Sequence, residues 1–549
     1  DQLAFGESGD TIKVNLLAHL VEKWADVIYE EAREEIGQFY PTEGAEGLVG
    51  KRKLTEEDGW VPVGYLWART IPCQNPSCEV QIPLIKQFWL ARRKDKRIAY
   101  RPVVNKANRR VEFELLENEE AIQAAEFDPS DGTVTRGDAR CPICGQVTPV
   151  EQVRRMAYEG AMSQRMVAVI FHHPDQYGKR YRIATRQDEE VYAKASTCLK
   201  QKLAKWPYLE SPLPEEQLPP TGTLGFRIQR YGMTQWRDLF NARQKLVMVA
   251  LLERAKTGYR RVLADCETIL DHASARDDAN EGPLSEPEII AADELARAVM
   301  GNLGLLLDRM AVFGCNLVRW VSRTEIVANA YSRQALPMLW DYVEVNPFSD
   351  SSGSYPSQLY YMLAYLDQPR PSSLAAGVTV RRSSATGLDL EDNSMDAVFT
   401  DPPYYDNVPY AALSDFFYVW LKRAVGDLFP DLFTTPVVPK TGEAIMEPVR
   451  HENKEQAKVF FERLLAESFV EMARVLKPGG VAVTVYAHKT TQGWETMLNG
   501  LVEAGLVVTA SWPIHTEMKA RLRARASAAL ASSIYMVCRK VEREPLGFW

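Results

Sequence analysis

The residues of the segment MDAVFTDPPYYDN, from Met395 to Asn407, are of types that can act on an amino group. An exocyclic amine of a nucleic-acid base is a poor nucleophile because its lone pair is delocalised into the ring. The Asp401 carboxylate and the Pro402 carbonyl can accept hydrogen bonds from its two N–H groups, which draws the nitrogen toward a tetrahedral geometry. Pro402 and Pro403 restrict the backbone and remove competing N–H donors. The ring of Tyr404 can stack on a base taken out of the helix.

The alternative interpretation is that Asp401 to Tyr404 forms only a turn. The surrounding sequence favours a site, because the apolar run at 397–399 predicts a strand directly before Asp401. A Leu-Lys-Pro-Gly-Gly turn and the apolar run at 481–486 follow, as in a sheet that is covered on both faces. We therefore expect Asp401 at the end of a strand, where a catalytic group is held rigidly.

Four cysteines occur in two close pairs. Cys73 and Cys78 lie in CQNPSC, and Cys141 and Cys144 lie in CPICG. Both segments are turn-like and point two sulfurs at one place, so the four thiolates suit tetrahedral zinc with no open coordination position. The sequence predicts one structural zinc ion, and reduced thiols or a redox pair are the alternative.

The composition is that of a globular protein of more than one domain: 549 residues, 46% hydrophobic and 25% charged. The other four cysteines are scattered, which suits a reducing cytosol rather than a secreted disulfide framework. Because neither a long apolar run nor a secretory signal occurs, we expect a cytoplasmic protein without a membrane span. The formal net charge of -8 does not decide whether nucleic acid is a partner, since a basic groove can lie on an acidic body.

The apolar pattern predicts the elements that position these residues. Upstream, the residues from Asn15 to Ile36 have the spacing of an amphipathic helix. From Gly377 onward strands alternate with helices, which predicts a doubly wound α/β sheet with its ligand crevice outside the carboxyl ends of the strands. The predicted strands are 378–380, 397–399, 481–486, 507–512 and 534–538, and the predicted helices are 462–476 and 496–504.

Taken together, the motifs resemble those of the adenine-specific DNA methylases that contain a zinc ribbon, the DUF1156 family. The resemblance implies a Rossmann-like methyltransferase fold, S-adenosylmethionine as methyl donor, adenine N6 in DNA as acceptor, and a role in restriction-modification or phage defence. It gives Asp401, Pro402, Pro403 and Tyr404 the roles of the catalytic motif. The matching stretches are HLVEKWADVIYEEAREEIGQFYP, the paired cysteines, SRQALPMLWDYVEVNPFS, VFTDPPYYDNVPYAALSDFFYVWLKR, the LKPGG turn and AHKTTQGWETMLNGLVEAGL.

On this interpretation the chain has four parts. They are an N-terminal helical segment of the methyltransferase core (1–60), a zinc-ribbon module (61–165), a mixed and helical insert for target recognition (166–376) and the catalytic core (377–549). Ser384 and Ala385 follow the predicted strand at 378–382, where such folds contact the adenine of the cofactor, and Asp389 is a nearby alternative. An ordinary turn between strand and loop is an equally good interpretation of these three residues.

The sequence departs from the family in one respect. Members carry a glycine-rich cofactor motif on the first strand, upstream of the zinc ribbon, and here only Phe5 to Gly9 has a faint likeness to it. We expect the first strands to lie before Asp1 or on another chain, and without them this chain should bind the cofactor weakly. Two further functions stay open: methylation of cytosine N4, which presents the same amine, and a non-catalytic DNA-binding subunit.

Overall fold

The computed structural model describes residues 2–4, 13–41, 59–105, 110–173, 176–277, 291–332, 334–368, 378–488, 491–514 and 533–541. The chain is a mixed α/β protein that divides into two compact units. Unit 1 comprises residues 1–221, 226–369 and 414–438, and unit 2 comprises residues 222–225, 370–413 and 439–549. Among the described residues, no helix is long and apolar enough to cross a membrane.

Unit 1 contains most of the described strands and most of the described helices. Its described strands are β1 (Gln2–Ala4), β2 (Lys13–Asn15), β3 (Val61–Pro72), β4 (Gln81–Leu84), β5 (Trp89–Arg92), β6 (Arg97–Asn105), β7 (Arg110–Leu116), β8 (Val134–Thr135), β9 (Asp138–Arg140), β10 (Val147–Thr148), β11 (Ser163–His173), β12 (Gln176–Ile183), β13 (Arg319–Val321), β14 (Ile326–Ala328) and β15 (Asp341–Val345). Its described α-helices are α1 (Leu16–Ile36), α2 (Glu119–Ala124), α3 (Val150–Tyr158), α4 (Arg186–Ala204), α5 (Ala242–Asp277), α6 (Ala292–Phe313) and α7 (Tyr355–Leu366), followed by most of α8 (Tyr410–Val425).

The predicted N-terminal helix is confirmed as α1. The Asn15 side chain accepts a hydrogen bond from the Ala18 N–H and so caps the first turn. Leu20, Trp24 and Ile28 recur at helical spacing and are buried, which is the packing that stabilises a helix of this length more than its intrinsic propensity does.

The largest sheet of unit 1 has five strands in the order β12-β11-β3-β15, with β4 also paired to β3. All of these pairings are antiparallel. The central strand β3 is buried along almost its whole length, as expected for a strand with neighbours on both edges and covered faces. The strands β3 and β11 flank the two cysteine pairs in sequence, so the sheet is the support of that region.

A buried ion pair joins this sheet to the first turn of α5. The Arg243 Nε lies 2.6 Å from the Glu344 Oε1, and the two side chains are 1% and 0% exposed. The other carboxylate oxygen of Glu344 accepts hydrogen bonds from the Trp67 Nε1 at 2.7 Å and the Asn241 Nδ2 at 2.9 Å. The Arg243 guanidinium also lies 4.0 Å from the centre of the Tyr65 ring. These contacts offset the cost of removing both charges from water.

We predict that Glu344→Gln lowers the free energy of unfolding by about 3–5 kcal/mol, because it leaves the Arg243 charge buried without its counter-ion. Urea denaturation followed by tryptophan fluorescence measures this change. Glu190→Gln is the matched control, since its partner Arg186 is 90% exposed and the loss there should stay below about 0.5 kcal/mol. Equal losses in the two variants would contradict the role given to the buried pair.

Unit 2 contains a four-stranded sheet and two helices that pack on it. The strands are β16 (Met395–Thr400), β17 (Leu476–Tyr486), β18 (Leu506–Ile514) and β19 (Ser533–Lys540), and the helices are α9 (Lys454–Val475) and α10 (Thr491–Glu503). The strand order is β16-β17-β19-β18. Strand β16 pairs with β17 in parallel, and β19 pairs antiparallel with both β17 and β18. Hence β16, β17 and β18 all run in one direction.

The two faces of the sheet in unit 2 differ. On one face, Cys538 and its neighbours pack into a core with Phe461 of α9 and Leu501 of α10. On the other face, Phe399 and Trp512 are 65% and 61% exposed. No strand of the described residues pairs with the second edge of β16. Among the residues that the structure describes, the sheet therefore has one covered face, one largely uncovered face and an unpaired edge at β16.

Four of the five strands predicted from Gly377 onward are confirmed, and one is wrong. Residues 378–380, predicted as a strand, have no regular secondary structure, and Val378 and Val380 are 71% and 91% exposed. β-branched residues favour strands only where a neighbouring strand and a covered face are present, and the described part of the chain provides neither for this segment. The predicted helices are confirmed as α9 and α10, although both begin earlier than expected.

Candidate functional site

The candidate site lies at the carboxyl edge of the sheet in unit 2. Asp401 directly follows the last residue of β16, and Thr400 is in register with Thr484 of β17. Because the two strands are parallel, Asp401 and the residue His488, just beyond β17, lie at the same edge. This is the edge at which open α/β sheets bind their ligands.

The loop after β16 is held by its own hydrogen bonds. The Tyr404 hydroxyl donates to the Asp401 Oδ1 at 2.7 Å, and the Asn407 N–H donates to the Tyr404 carbonyl at 3.1 Å. Asp401 is exposed, while Pro402 and Pro403 are half-buried. One carboxylate oxygen is therefore oriented by Tyr404, and the side chain stays accessible to a ligand.

The side chain of Tyr404 is held in place by packing as well as by its hydrogen bond. Its ring is half-buried and meets the ring of Tyr486 edge-on at a centroid distance of 5.3 Å. Burial, and then the hydrogen bond to Asp401, raise the pKa of Tyr404 far above its usual range, so its hydroxyl keeps the proton that it donates to the carboxylate.

Tyr405 stores backbone strain in this loop. Its φ of 54° lies in the left-handed region, which an aromatic residue rarely adopts. The ring is buried between Phe461 at 5.2 Å and His488 at 5.5 Å, and its carbonyl accepts a hydrogen bond from the Met446 N–H at 3.0 Å. Strain of this kind persists only where the surroundings impose it, and it is concentrated at functional sites. Nothing in the local sequence signals that the second tyrosine after the prolines is buried.

His488 packs under the same loop. Its Nε2 lies 3.9 Å from the Asp406 Oδ1, its ring is stacked on Tyr486, and its carbonyl accepts a hydrogen bond from the Trp494 Nε1 at 3.0 Å. A Cβ added to Gly493 would lie only 2.1 Å from the His488 Nδ1, so this close approach requires glycine. His488 therefore packs behind the loop and supports Tyr405 and Tyr486.

Ser384, Ala385 and Asp389 lie elsewhere on unit 2. All three are exposed, and the segment that carries them is tied down by Arg474, which donates to the Leu388 carbonyl at 3.0 Å. Arg474 is near the carboxyl end of α9, just before β17 begins. This segment is thus anchored at the amino ends of the parallel strands, and Asp401 lies at their carboxyl ends. The assignment of these residues to a cofactor stays a prediction, and Phe5 to Gly9 lie outside the described residues.

The four paired cysteines of unit 1 do come together. Their sulfur atoms all lie within 4.8 Å of one another, with 3.7 Å between Cys73 and Cys144 and 3.8 Å between Cys78 and Cys141. The turn of the second pair is closed by the Gly145 N–H, which donates to the Cys141 carbonyl at 3.0 Å, and Gly145 takes a φ of 75° that suits glycine. This cluster can hold a metal ion.

We predict that the purified chain contains about one tightly bound metal ion, and that Cys141→Ser loses it because three thiolates hold a tetrahedral ion much more weakly than four. Elemental analysis of the purified variants measures the metal content. Cys198→Ser, which lies outside the cluster, should keep the metal of the parent chain. Equal metal content in the two variants would contradict this assignment.

Comparisons with known proteins do not assign the chain to a family. No protein-family model matches it, and no curated protein matches it. One solved structure that matches is that of a Thermus thermophilus protein described as a DNA modification methylase, at 16% identity and a TM-score of 0.16. The match covers 29% of this chain and 52% of that one, so this chain spans about half the length of that structure. A likeness this weak carries no argument about fold or function.

Proposed function

We propose that this protein is a cytoplasmic DNA methyltransferase that modifies the exocyclic N6 of adenine, with S-adenosylmethionine as methyl donor, in restriction-modification or phage defence. The observation that carries the proposal is the position of Asp401. It is an exposed carboxylate on a strained, proline-stiffened loop at the carboxyl end of a parallel strand. The sequence resemblance to zinc-ribbon adenine methylases supports the choice of DNA and of adenine.

The loop suits the part of such a site that holds the base to be methylated. The carboxylate of Asp401 and the carbonyl of Pro402 would accept the two N–H groups of the base amine, so that its lone pair points away from the loop. Neither Pro402 nor Pro403 has an N–H that would compete for these acceptors. The loop is positioned before the substrate arrives, so little of the binding free energy is lost in ordering it.

The described residues do not form a recognisable site for the methyl donor. S-adenosylmethionine would supply an activated methyl group, and open α/β sheets hold such cofactors with a glycine-rich turn at the point where the strand order reverses. No such strand and turn occur among the residues that the structure describes. For this reason we derive no step that passes through the cofactor.

We propose that the cofactor-binding strands pair with the free edge of β16. They would come from a further protein chain or from a segment outside the described residues. Parallel strands are normally covered on both faces, and an unpaired apolar edge is a hazard for aggregation. The exposed ring of Phe399 and the free edge beside it support this partner.

A first prediction concerns the cofactor. Titrated with S-adenosylmethionine in a calorimeter, this chain alone should show no saturable binding tighter than about 1 mM. Addition of the complementary chain or segment should restore tight binding of the cofactor. Phe399→Asp on the edge strand β16 should prevent this recovery, because it places a charge in the new interface. Tight binding of S-adenosylmethionine to the isolated chain would contradict a separate source of the cofactor-binding strands. It would not contradict methyl transfer.

A second prediction concerns Asp401. In the complete enzyme, Asp401→Ala should lower the incorporation of labelled methyl groups into DNA by about 100-fold or more, because a preorganised acceptor is lost. Asp396→Asn is the matched control on the same strand. That side chain is exposed and contacts Lys477 at 2.7 Å, so methyl incorporation should stay within about twofold of the parent, as is usual for surface changes. Unchanged incorporation in Asp401→Ala would overturn the assignment.

Two other functions have specific support. Cytosine N4 offers the same two N–H groups, so the loop would suit it equally, and the identity of the methylated nucleoside separates the two. The absence of a glycine-rich turn among the described residues favours a non-catalytic DNA-binding subunit. That interpretation predicts DNA binding by the complex without any methyl incorporation.

We propose that the metal held by the cysteine cluster is a structural zinc ion. A Zn–S distance of about 2.3 Å in a tetrahedral site places neighbouring sulfurs about 3.8 Å apart. The separations of 3.7 Å and 3.8 Å match this value. Four thiolates leave no open coordination position, so the ion would stabilise the fold and take no part in the reaction.

A further inference from the structure

We propose that the two tyrosines at either end of the acceptor loop have different tasks: Tyr404 positions Asp401 through its hydroxyl, and the ring of Tyr410 stacks on the target base. This division rests on the proposed function and names the residue that recognises the aromatic plane of the substrate. It also changes the task that the sequence gives to Tyr404, whose ring was expected to stack on the base.

The contacts of Tyr404 argue that its ring is already in use. Its hydroxyl donates to the Asp401 Oδ1 at 2.7 Å and accepts a hydrogen bond from the Ser533 side chain at the start of β19. Its ring packs edge-on against Tyr486. Moving the ring onto a base would break these contacts. Tyr404 is therefore better placed to orient the Asp401 carboxylate than to stack on the base.

This hydrogen bond fixes which carboxylate oxygen meets the substrate. The Oδ1 of Asp401 accepts from Tyr404, which leaves the Oδ2 for the amine of the base. A hydrogen bond to a charged group is stronger than a neutral one, so the carboxylate is held in one rotamer. Ser533 extends this support to the antiparallel strand of the sheet.

Tyr410 differs from Tyr404 because its side chain is largely exposed. Tyr410 is 56% exposed, and burial of the rest of the side chain, with a smaller effect of the Asp401 charge, raises its pKa. Its backbone is nevertheless fixed. Its N–H donates to the Val408 carbonyl at 3.1 Å, and the next N–H, of Ala411, donates to the Glu443 Oε1 at 2.8 Å.

A fixed backbone that presents an exposed aromatic ring at the end of the loop that carries the Asp401 carboxylate is an arrangement that suits a flipped base. The ring can accept one face of the purine, and the carboxylate can accept the N–H group at its edge. Stacking on one aromatic side chain changes affinity by about 10- to 100-fold in single-stranded DNA complexes. Tyr410 is therefore assigned to binding and Tyr404 to orientation.

The first experiment measures binding and needs no methyl transfer. A single-stranded oligonucleotide with one 2-aminopurine is titrated with the full chain, with Tyr410→Ala and with Tyr410→Phe. Tyr410→Ala should weaken binding about 10-fold or more and leave the bound 2-aminopurine brighter, because the quenching ring is gone. Tyr410→Phe, which keeps the aromatic ring, should bind the oligonucleotide as tightly as the parent chain does. Equal affinity and emission for Tyr410→Ala and the parent, or no binding by the parent, would overturn the stacking role.

The second experiment separates kcat from KM in the complete enzyme. Tyr404→Phe keeps the ring and should lower kcat about 10-fold with KM for DNA unchanged, since the lost hydrogen bond acts on the carboxylate. Tyr410→Ala should chiefly raise KM. The reverse pattern would overturn the division of tasks. If the binding results hold and the parent enzyme transfers no methyl group, the proposed function fails while Tyr410 remains a base-binding residue.

Discussion

The parallel pairing of β16 with β17 is the constraint on which the candidate site depends. Parallel neighbours cannot be joined by a tight hairpin and need a long crossover, and here the crossover begins with the loop at Asp401 and ends with α9. The pairing of Thr400 with Thr484 fixes Asp401 at the same edge as His488. Because α9 packs under both strands, the core of unit 2 holds the loop as well as the sheet.

The loop itself is stabilised by side-chain packing in addition to its hydrogen bonds. Tyr405 is kept in a left-handed conformation by Phe461 and His488, and the main chain of Met446 supports it from another segment. Preorganisation of this kind has a cost that the rest of the fold must supply. A strained backbone is expected where two hydrogen-bond acceptors must be presented to one small amine in a fixed geometry.

Local sequence patterns predicted the parts of this structure that depend on local chemistry. The strand before Asp401, the helix α1 and the convergence of four cysteines follow from apolar spacing and turn residues, and the structure contains all three. The function assigned to Asp401 and its neighbours remains a proposal, since the structure gives their geometry and not their reaction.

The features that were missed depend on distant partners. The strand at 378–380 was expected from valine content alone, but without a neighbouring strand its residues stay irregular. Nothing near Arg243 in the sequence points to Glu344, and nothing near Tyr405 points to Phe461, because both contacts join segments that are far apart in the chain. The lack of a glycine-rich motif in the sequence led us to expect that the first strands lie elsewhere, and among the described residues no strand pairs with the second edge of β16.

The central claim is that the loop at Asp401 presents a base amine for methylation. The most direct test is mass analysis of the nucleosides in DNA from cells that express the complete system with either the parent chain or Asp401→Asn. The account predicts N6-methyladenine with the parent chain and its loss with Asp401→Asn at equal protein abundance. N6-methyladenine at the same level with both chains, or no methylated nucleoside with either, would contradict it.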